Sequence, residues 1–265
     1  DELYVKEYCE KNGIKFYAKS IDVRSLANNK KMGVEEAGRK ARYEFFDEVL
    51  EETGANKIAI AHNKNDKVET MIMHLLRGCG INGLIGIEPK RGKYIRPLIE
   101  CDRNEIETYC EEHNLNPRID KTNFENEYTR NKIRNIVIPY IKKEFNPNII
   151  DTFDRLSRLA SDEQNYIDEQ VREAYGNMLL NVIKDPLDKR KVEEVVLDLK
   201  KFNAQKNVIK SRIILYTITS IIGNIDSIGL INIKDIIKLC KNNIGNKYLT
   251  PNKNIKIFIQ NKKMA

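Results

Sequence analysis

Residues 57–70 read KIAIAHNKNDKVET, and this stretch decides the fold class. The apolar run at 57–61 predicts a short buried strand, and the polar turn after it leads into a helix predicted over 67–77. A long helix is predicted before the strand, over 34–53, because apolar side chains recur there with the helical period and Gly54 follows. Strands separated by helices of this length are typical of βαβ units. We therefore expect an α/β fold with a parallel, Rossmann-like sheet.

The pattern divides the chain into two regions. The N-terminal region continues with a helix over 1–12, a strand over 14–23, an extended stretch over 94–98 and a capped helix over 102–113. From Tyr128 the helical period dominates, with a kink expected at Pro139. Further helices are predicted after Pro147 and over 189–202, 205–222 and 234–242, with a small hairpin of 247–249 and 255–259. We therefore expect an α/β domain over 1–145 and a mostly helical second domain over 146–265.

Composition narrows the class of protein. The chain has 265 residues and a formal net charge of +7, with 41% apolar and 32% charged residues. Its five cysteines nowhere form a CxxC pair, which disfavours a zinc ribbon and a disulfide scaffold. No apolar run has the length of a membrane span. We expect a cytoplasmic protein without a membrane partner, and the positive charge is compatible with an anionic partner such as a nucleic acid.

The turn after the predicted strand carries the first candidate site. His62 follows the strand directly, where ligands bind at the carboxyl ends of parallel strands. Asp66 and Glu69 place two carboxylates one helical turn apart, which suits an ammonium group or a metal ion. The same spacing is that of a capping box, so both carboxylates could instead satisfy free backbone N–H groups. Spacing alone leaves the two interpretations open.

Arginines supply the second set of candidates. Arg42 lies beside the apolar face of its predicted helix, so its partner is expected to be a phosphate or an internal carboxylate such as Glu69. Arg130 and Arg134 share one helical face at i, i+4 and suit a phosphate-binding stripe. A solvated charged face is the alternative for this pair.

Taken together, these segments resemble tRNA(Ile)-lysidine synthases. The resemblance rests on the order and spacing of RKARYEFF (39–46), AHNKNDKVET (61–70), LRGCGINGL (76–84), RPL (96–98), DKTN (120–123) and RNKIR (130–134). It implies an N-type ATP pyrophosphatase domain, which is an adenine nucleotide alpha hydrolase-like fold, over 1–145. For 146–265 it implies a helical domain that binds tRNA.

The resemblance implies a ligase that uses ATP and Mg²⁺. ATP adenylates the 2-carbonyl oxygen of the wobble cytidine in tRNA(Ile) with a CAU anticodon, and free L-lysine then displaces AMP. It implies catalytic roles for His62, Asp66, Glu69 and Arg42, and ATP binding by His62, Arg42 and Arg130. Contacts with lysine or tRNA are implied for Asp66, Glu69, Arg77, Arg130, Asn131 and Arg134. No protein-held metal ligand is assigned, and a homodimer is left open.

The chain also departs from the family pattern. Family members open with a Ser-Gly-Gly-x-Asp-Ser loop that cradles pyrophosphate, and no segment here matches it. We therefore expect a polypeptide of residues 1–265 alone to be unable to adenylate tRNA. Two other interpretations stay open: a tRNA cytidine thiolase of the same superfamily, disfavoured by the absence of CxxC, and a catalytically inactive RNA-binding fragment.

Overall fold

The computed structural model describes residues 2–118, 125–223, 228–242 and 247–265. Contacts divide the chain into two compact units, Asp1–Ser161 and Asp162–Ala265, and each is described by itself. None of the helices in the described ranges combines the length and the apolar character needed to cross a lipid bilayer.

Unit 1 consists of helices and one small sheet. Its helices are α1 (Glu2–Lys11), α2 (Val23–Lys30), α3 (Val34–Thr53), α4 (Lys64–Leu76), α5 (Ile81–Ile85), α6 (Arg103–Glu112), α7 (Thr129–Lys132), α8 (Ile138–Glu144) and the first part of α9 (Ile149–Met178). Its strands are β1 (Ile58–Ala59), β2 (Lys90–Arg91) and β3 (Tyr94–Ile95).

The sheet of unit 1 has the strand order β1-β3-β2. Strands β1 and β3 pair in parallel, with Ile58 opposite Tyr94, whereas β2 pairs antiparallel with β3. The expected parallel pairing is therefore present in one strand pair. Because the carboxyl ends of β1 and β3 meet at one edge of the sheet, His62 and Arg96 leave the sheet on the same side.

Local signals predicted several helices correctly. Helix α3 has the predicted bounds and ends at Gly54, whose φ of 65° is the left-handed conformation that favours glycine. Helix α6 begins with the predicted capping box, in which Asp102 and Glu105 each accept a hydrogen bond from the backbone N–H of the other.

The strand predicted over 14–23 is absent from the structure. Residues 14–22 form neither helix nor strand, and α2 already begins at Val23, where the Asp22 carboxylate accepts hydrogen bonds from the backbone N–H groups of Arg24 and Ser25. A strand exists only through a ladder with a neighbour, and residues 14–22 pair with no strand in the described chain. The alternating pattern at 14–23 therefore does not produce a strand here.

The helical segment predicted over 128–145 is present but contains a π-helical turn. The π-turn covers Ile133–Val137 and lies between α7 and α8. Pro139 sits in the first turn of α8, where its missing N–H costs little. Ile133 is 1% exposed and packs in a cluster with Val68 and Ile72 of α4. This packing fixes which face of the segment meets α4.

Contacts divide the units after Ser161, within α9, and the domain boundary expected after residue 145 stays a prediction. The start of α9 packs on unit 1, because Ile149, Ile150 and Phe153 join the cluster that contains Ile133. The assignment of functions to the two regions stays a prediction.

Unit 2 contains more strand than the sequence predicts. Beyond the rest of α9 it has α10 (Leu199–Ala204), α11 (Asn207–Ile222), α12 (Leu230–Asn242), β4 (Leu179–Lys184), β5 (Val192–Asp198), β6 (Lys247–Asn252), β7 (Ile255–Gln260) and β8 (Lys263–Met264). The strands form a five-stranded sheet in the order β4-β5-β8-β7-β6. The hairpin of β6 and β7 confirms the predicted one. The helix predicted over 189–202 is wrong for most of its length, because β5 occupies half of the range and buries Val195 and Leu197 in the core, and α10 begins only at Leu199.

Candidate functional site

The site begins at the N-terminus of α4. Asn63 is the N-cap: its side-chain oxygen accepts a hydrogen bond from the backbone N–H of Asp66 at 2.9 Å. The Asp66 carboxylate in turn accepts from the backbone N–H of Asn63 at 3.0 Å. The capping box therefore joins Asn63 and Asp66, not Asp66 and Glu69 as the spacing allowed. Glu69 takes no part in the cap and needs another explanation.

That explanation is a pair of arginines. The carboxylate of Glu69 accepts from Arg130 Nε at 2.8 Å, from Arg134 Nε at 2.6 Å and from Arg134 Nη2 at 2.8 Å. Asp66 Oδ1 accepts from the Nη2 atoms of the same two arginines, at 2.9 and 3.1 Å. Two carboxylates and two guanidinium groups thus form one charge-balanced network, which we call the Arg–carboxylate cluster.

Burial in the cluster is uneven. The Glu69 side chain is 1% exposed, whereas that of Asp66 is 16% exposed and those of Arg130 and Arg134 are about 30% exposed. The hydrogen bonds with Glu69 raise the pKa of Arg134 above its ordinary value. Glu69 is therefore the buried anchor, and the arginines and Asp66 reach the surface.

The solvated-face alternative for Arg130 and Arg134 is wrong. Their i, i+4 spacing is kept across the start of the π-turn, and Ile133 between them is buried against α4. The chain therefore directs both guanidinium groups toward the first two turns of α4.

His62 lies next to the cluster and is half-buried. Arg96 Nε donates a hydrogen bond to His62 Nδ1 over 3.2 Å. Burial lowers the pKa of His62, and Arg130 and Arg96 act in the same direction, while Asp66 opposes them. An Nδ1 atom that accepts leaves the proton of the neutral ring on Nε2.

Arg42 differs from its prediction. Its side chain is exposed, and it forms no ion pair within the described residues. The internal ion pair with Glu69 is therefore wrong, because Glu69 is saturated by Arg130 and Arg134. An exposed guanidinium is hydrated and needs no internal carboxylate, so a role in ligand binding for Arg42 stays a prediction.

Two other candidates lie outside the cluster. Arg77 is exposed at the C-terminal end of α4, and the rise of a helix puts it roughly 15 Å from the Asp66 end. Asn131 donates a hydrogen bond to the backbone oxygen of Glu125 at 2.8 Å. The DKTN motif at 120–123 lies outside the described residues.

Sequence reasoning assigned no role to two buried cations near the site. Arg96 is 8% exposed and, besides His62, contacts the backbone oxygen of Glu88 at 2.7 Å. Lys67, between Asp66 and Glu69, forms a buried ion pair with Asp154 of α9. The RPL motif contained the signal for Arg96. No local signal marks Lys67, because its partner lies far along the chain.

The described residues do not form a metal centre of their own. They contain no group of three or more His, Cys, Asp or Glu side chains arranged to hold a metal ion. Both carboxylates of the Arg–carboxylate cluster are already engaged by cations. A magnesium ion usually keeps phosphate and water ligands, so one brought in on a nucleotide is compatible with this arrangement.

The sequence of this chain is similar to those of known proteins. Residues 1–141 match the PP-loop domain family. The chain is 42% identical over 259 residues to a tRNA(Ile)-lysidine synthase of Clostridioides difficile, covering 97% of this chain and 54% of that protein. It is 43% identical over 253 residues to a tRNA(Ile)-lysidine synthase of Clostridium acetobutylicum, covering 95% and 53%.

The chain spans about half the length of these curated relatives. The PP-loop match covers more than half of the chain and contains β1, α4 and every residue of the Arg–carboxylate cluster. The chain therefore belongs to the PP-loop domain family and has the Rossmann-like α/β fold of that family in its N-terminal region.

Proposed function

We propose that this chain is the ATP-dependent catalytic part of a tRNA(Ile)-lysidine synthase. The observation that carries the proposal is the Arg–carboxylate cluster at the carboxyl end of β1, in a chain about 40% identical to enzymes of that name. In this proposal the region before α9 holds ATP and lysine, and the region that follows helps to hold tRNA.

The cluster suits the handling of phosphate groups. Arg130 and Arg134 are fixed by Glu69 but remain partly exposed, so their free N–H groups can meet phosphate oxygens without reorganising. Preorganised donors of this kind stabilise charge that develops in a transition state. His62 adds an Nε2–H donor beside them, and Arg42 is available at the surface of α3.

Burial separates the roles of the two carboxylates. Glu69 is 1% exposed and saturated by arginines, which supports a positioning role rather than contact with free lysine. Asp66 is more exposed and accepts fewer hydrogen bonds from the arginines, so it is the better candidate to receive an ammonium group.

The proposed reaction has two balanced steps. The 2-carbonyl oxygen of the wobble cytidine forms a bond to the α-phosphorus of ATP, and the bond to the bridging oxygen breaks to release pyrophosphate. The amine of L-lysine then forms a bond to C2 and loses a proton, and the C2–O bond breaks to release AMP. Mg²⁺ would neutralise the triphosphate, bound by phosphate oxygens, and the residues named above orient the reactants.

The proposed macromolecular partner is tRNA(Ile) with a CAU anticodon, which places the activity in the cytoplasm. The formal charge of +7 supports it, because phosphate contacts by Lys and Arg dominate affinity for RNA. Binding should therefore weaken steeply as salt rises. A homodimer stays open and is separated from a monomer by light scattering.

The test is lysine incorporation by the protein in its full natural length. ATP, L-lysine labelled with ¹⁴C and a tRNA(Ile) transcript with a CAU anticodon are supplied together, and the label in tRNA is counted. We expect incorporation that depends on ATP and releases AMP. Nucleoside mass analysis of the same tRNA separates lysine addition from sulfur addition. Unmodified tRNA after incubation with active-site-intact, folded protein would overturn the proposal in favour of an inactive RNA-binding protein.

A further inference from the structure

A basic pocket lies beside the Arg–carboxylate cluster and has no role in the proposed function. It has a volume of about 400 Å³ and is formed by α3 and the hairpin of β2 and β3. Its lining consists of four cations, two tyrosines and a glycine: Arg39, Tyr43, Arg91, Gly92, Lys93, Tyr94 and Arg96. Among the residues that the structure describes, no acidic side chain is part of this lining.

Arg96 is the residue that makes this pocket unusual. It is 8% exposed, and its two hydrogen bonds go to a backbone oxygen and to the imidazole of His62. Neither partner carries a negative charge, since one is a backbone carbonyl and the other is an imidazole ring. Within the part of the chain that the structure describes, Arg96 forms no ion pair. A buried guanidinium without a counter-ion is costly unless an anion completes it.

Of the other three cations, two add to the positive charge of the pocket and one is neutralised. Lys93 is paired with Asp47 at 2.8 Å, so it is neutralised within the fold. Arg91 forms no ion pair within the described residues, and Arg39 packs against the ring of Tyr43 with its guanidinium carbon 5.4 Å from the ring centre. Three arginines from two separate segments therefore face one concave space without carboxylates.

We infer that this pocket binds a phosphate group. Guanidinium groups can make two parallel hydrogen bonds to the oxygens of a phosphate, whereas the ammonium group of lysine acts as a point charge. Three arginines in one pocket therefore favour phosphate as the ligand. The tyrosine hydroxyl of Tyr94 is already used, because it donates to the Asp47 carboxylate. The arginines are therefore the groups that meet the ligand. The phosphate belongs either to a free polyphosphate or to the backbone of an RNA strand.

The experiment measures two ligands with the same set of variants. Inorganic pyrophosphate is titrated by calorimetry, and a fluorescent single-stranded RNA of ten uridines is titrated by anisotropy, both at low salt. Arg39→Ala and Arg91→Ala remove one exposed cation each from the pocket. Arg155→Ala is the matched control, since it removes one exposed arginine of α9 outside the pocket. Circular dichroism confirms that all three variants are folded.

We expect Arg39→Ala and Arg91→Ala each to weaken binding by about tenfold, while Arg155→Ala changes it less than twofold. A loss seen with pyrophosphate assigns the pocket to a free polyphosphate, and a loss seen only with RNA assigns it to a backbone phosphate. Equal effects of the pocket variants and the control on both ligands, or no binding of either ligand by the unaltered protein, would overturn the inference. The outcome is independent of lysine incorporation, because neither ligand requires turnover.

Discussion

The carboxylate of Glu69 accepts hydrogen bonds from Arg134 on both of its oxygens, at 2.6 and 2.8 Å, while its side chain is only 1% exposed. Arg130 adds a third hydrogen bond at 2.8 Å. This contact joins the first turns of α4 to the π-turn segment, which lies more than sixty residues later in the chain. It therefore links the stability of unit 1 to the geometry of the candidate site.

Glu69→Gln should destabilise the fold strongly. The glutamine amide has only one oxygen that can accept a hydrogen bond, and the two guanidinium groups lose their buried counter-charge. We therefore expect the free energy of unfolding to fall by about 3 kcal/mol. The free energy of unfolding is measured with urea. The control is Glu107→Gln, which breaks the surface pair of Glu107 with Arg103 and should cost about 1 kcal/mol or less. Equal losses for the two variants would contradict the buried role of Glu69.

Arg134→Lys should reduce activity more than stability. Lysine keeps the charge but cannot make two parallel hydrogen bonds to Glu69 or present a fixed fork to phosphate. We expect kcat/KM for lysine incorporation to fall by about a hundredfold. The control is Lys132→Ala, which removes an exposed cation of α7. A drop of similar size in the control would indicate general charge loss instead of the proposed role of Arg134.

His62 should make stability depend on pH. Burial lowers its pKa from 6.5, so the unfolded chain binds a proton more readily than the folded one. As pH falls below about 6.5, the unfolded state is favoured, and the stability from neutral His62 is lost progressively down to the lowered pKa.

Urea unfolding at pH 7.5 and pH 5 measures this loss. The difference in unfolding free energy between the two pH values should be smaller in His62→Gln than in the unaltered protein. His113→Gln is the control, because His113 is exposed. An unchanged difference in His62→Gln would show that His62 does not titrate as its burial implies.

How much of this structure the sequence predicts depends on how local each signal is. The bounds of α3 and the cap of α6 were predictable, because periodicity, Gly54 and the Asp102–Glu105 pair lie within the elements themselves. The strand predicted over 14–23 failed, because a strand needs a ladder partner that its own sequence does not contain. The missed strand β5 shows the converse, since its partners β4 and β8 favour extension at Val195 and Leu197.

The candidate site shows the same limit. Sequence spacing placed Asp66 with Glu69 and Arg130 with Arg134, because each pair is one helical turn apart. It could not show that the pairs contact each other, so Arg42 was as good a partner for Glu69 as Arg130. Contacts between segments far apart in the chain are decided by packing, here by Ile133 against Val68.

Gly86→Ala should be far more harmful than Gly92→Ala. Both glycines have positive φ, of 70° and 60°, a backbone conformation that side chains rarely adopt, so alanine is strained at either position. At Gly86 the added Cβ would also lie 2.8 Å from Met71 Cγ and 3.0 Å from the backbone oxygen of Lys67, whereas at Gly92 it meets open space. We expect Gly86→Ala to lose about 3 kcal/mol in urea unfolding. Similar losses of stability at both positions would show that α4 can shift to make room for the added Cβ at little cost.

Removing one partner of the Lys67–Asp154 ion pair should destabilise unit 1 more than replacing both partners with apolar residues. Burial raises the pKa of Asp154, but Lys67 and Arg158 outweigh burial and the pKa lies below its ordinary value. Asp154→Asn leaves Lys67 charged and buried, so we expect a loss of about 3 kcal/mol in urea unfolding. Asp151→Asn, which removes the exposed partner of Lys64, should cost about 1 kcal/mol or less.

The double variant Lys67→Met/Asp154→Leu separates charge from packing. Because it removes both buried charges and fills their volume with apolar atoms, it should recover most of the stability that Asp154→Asn loses. Lysine incorporation by the full-length double variant then tests whether the pair also positions the site. If apolar packing is enough to keep α4 in its position, kcat and KM stay unchanged in the double variant. If the double variant is less stable than Asp154→Asn, the charge pair itself holds α4 against α9, and the cost of burying it has been overestimated.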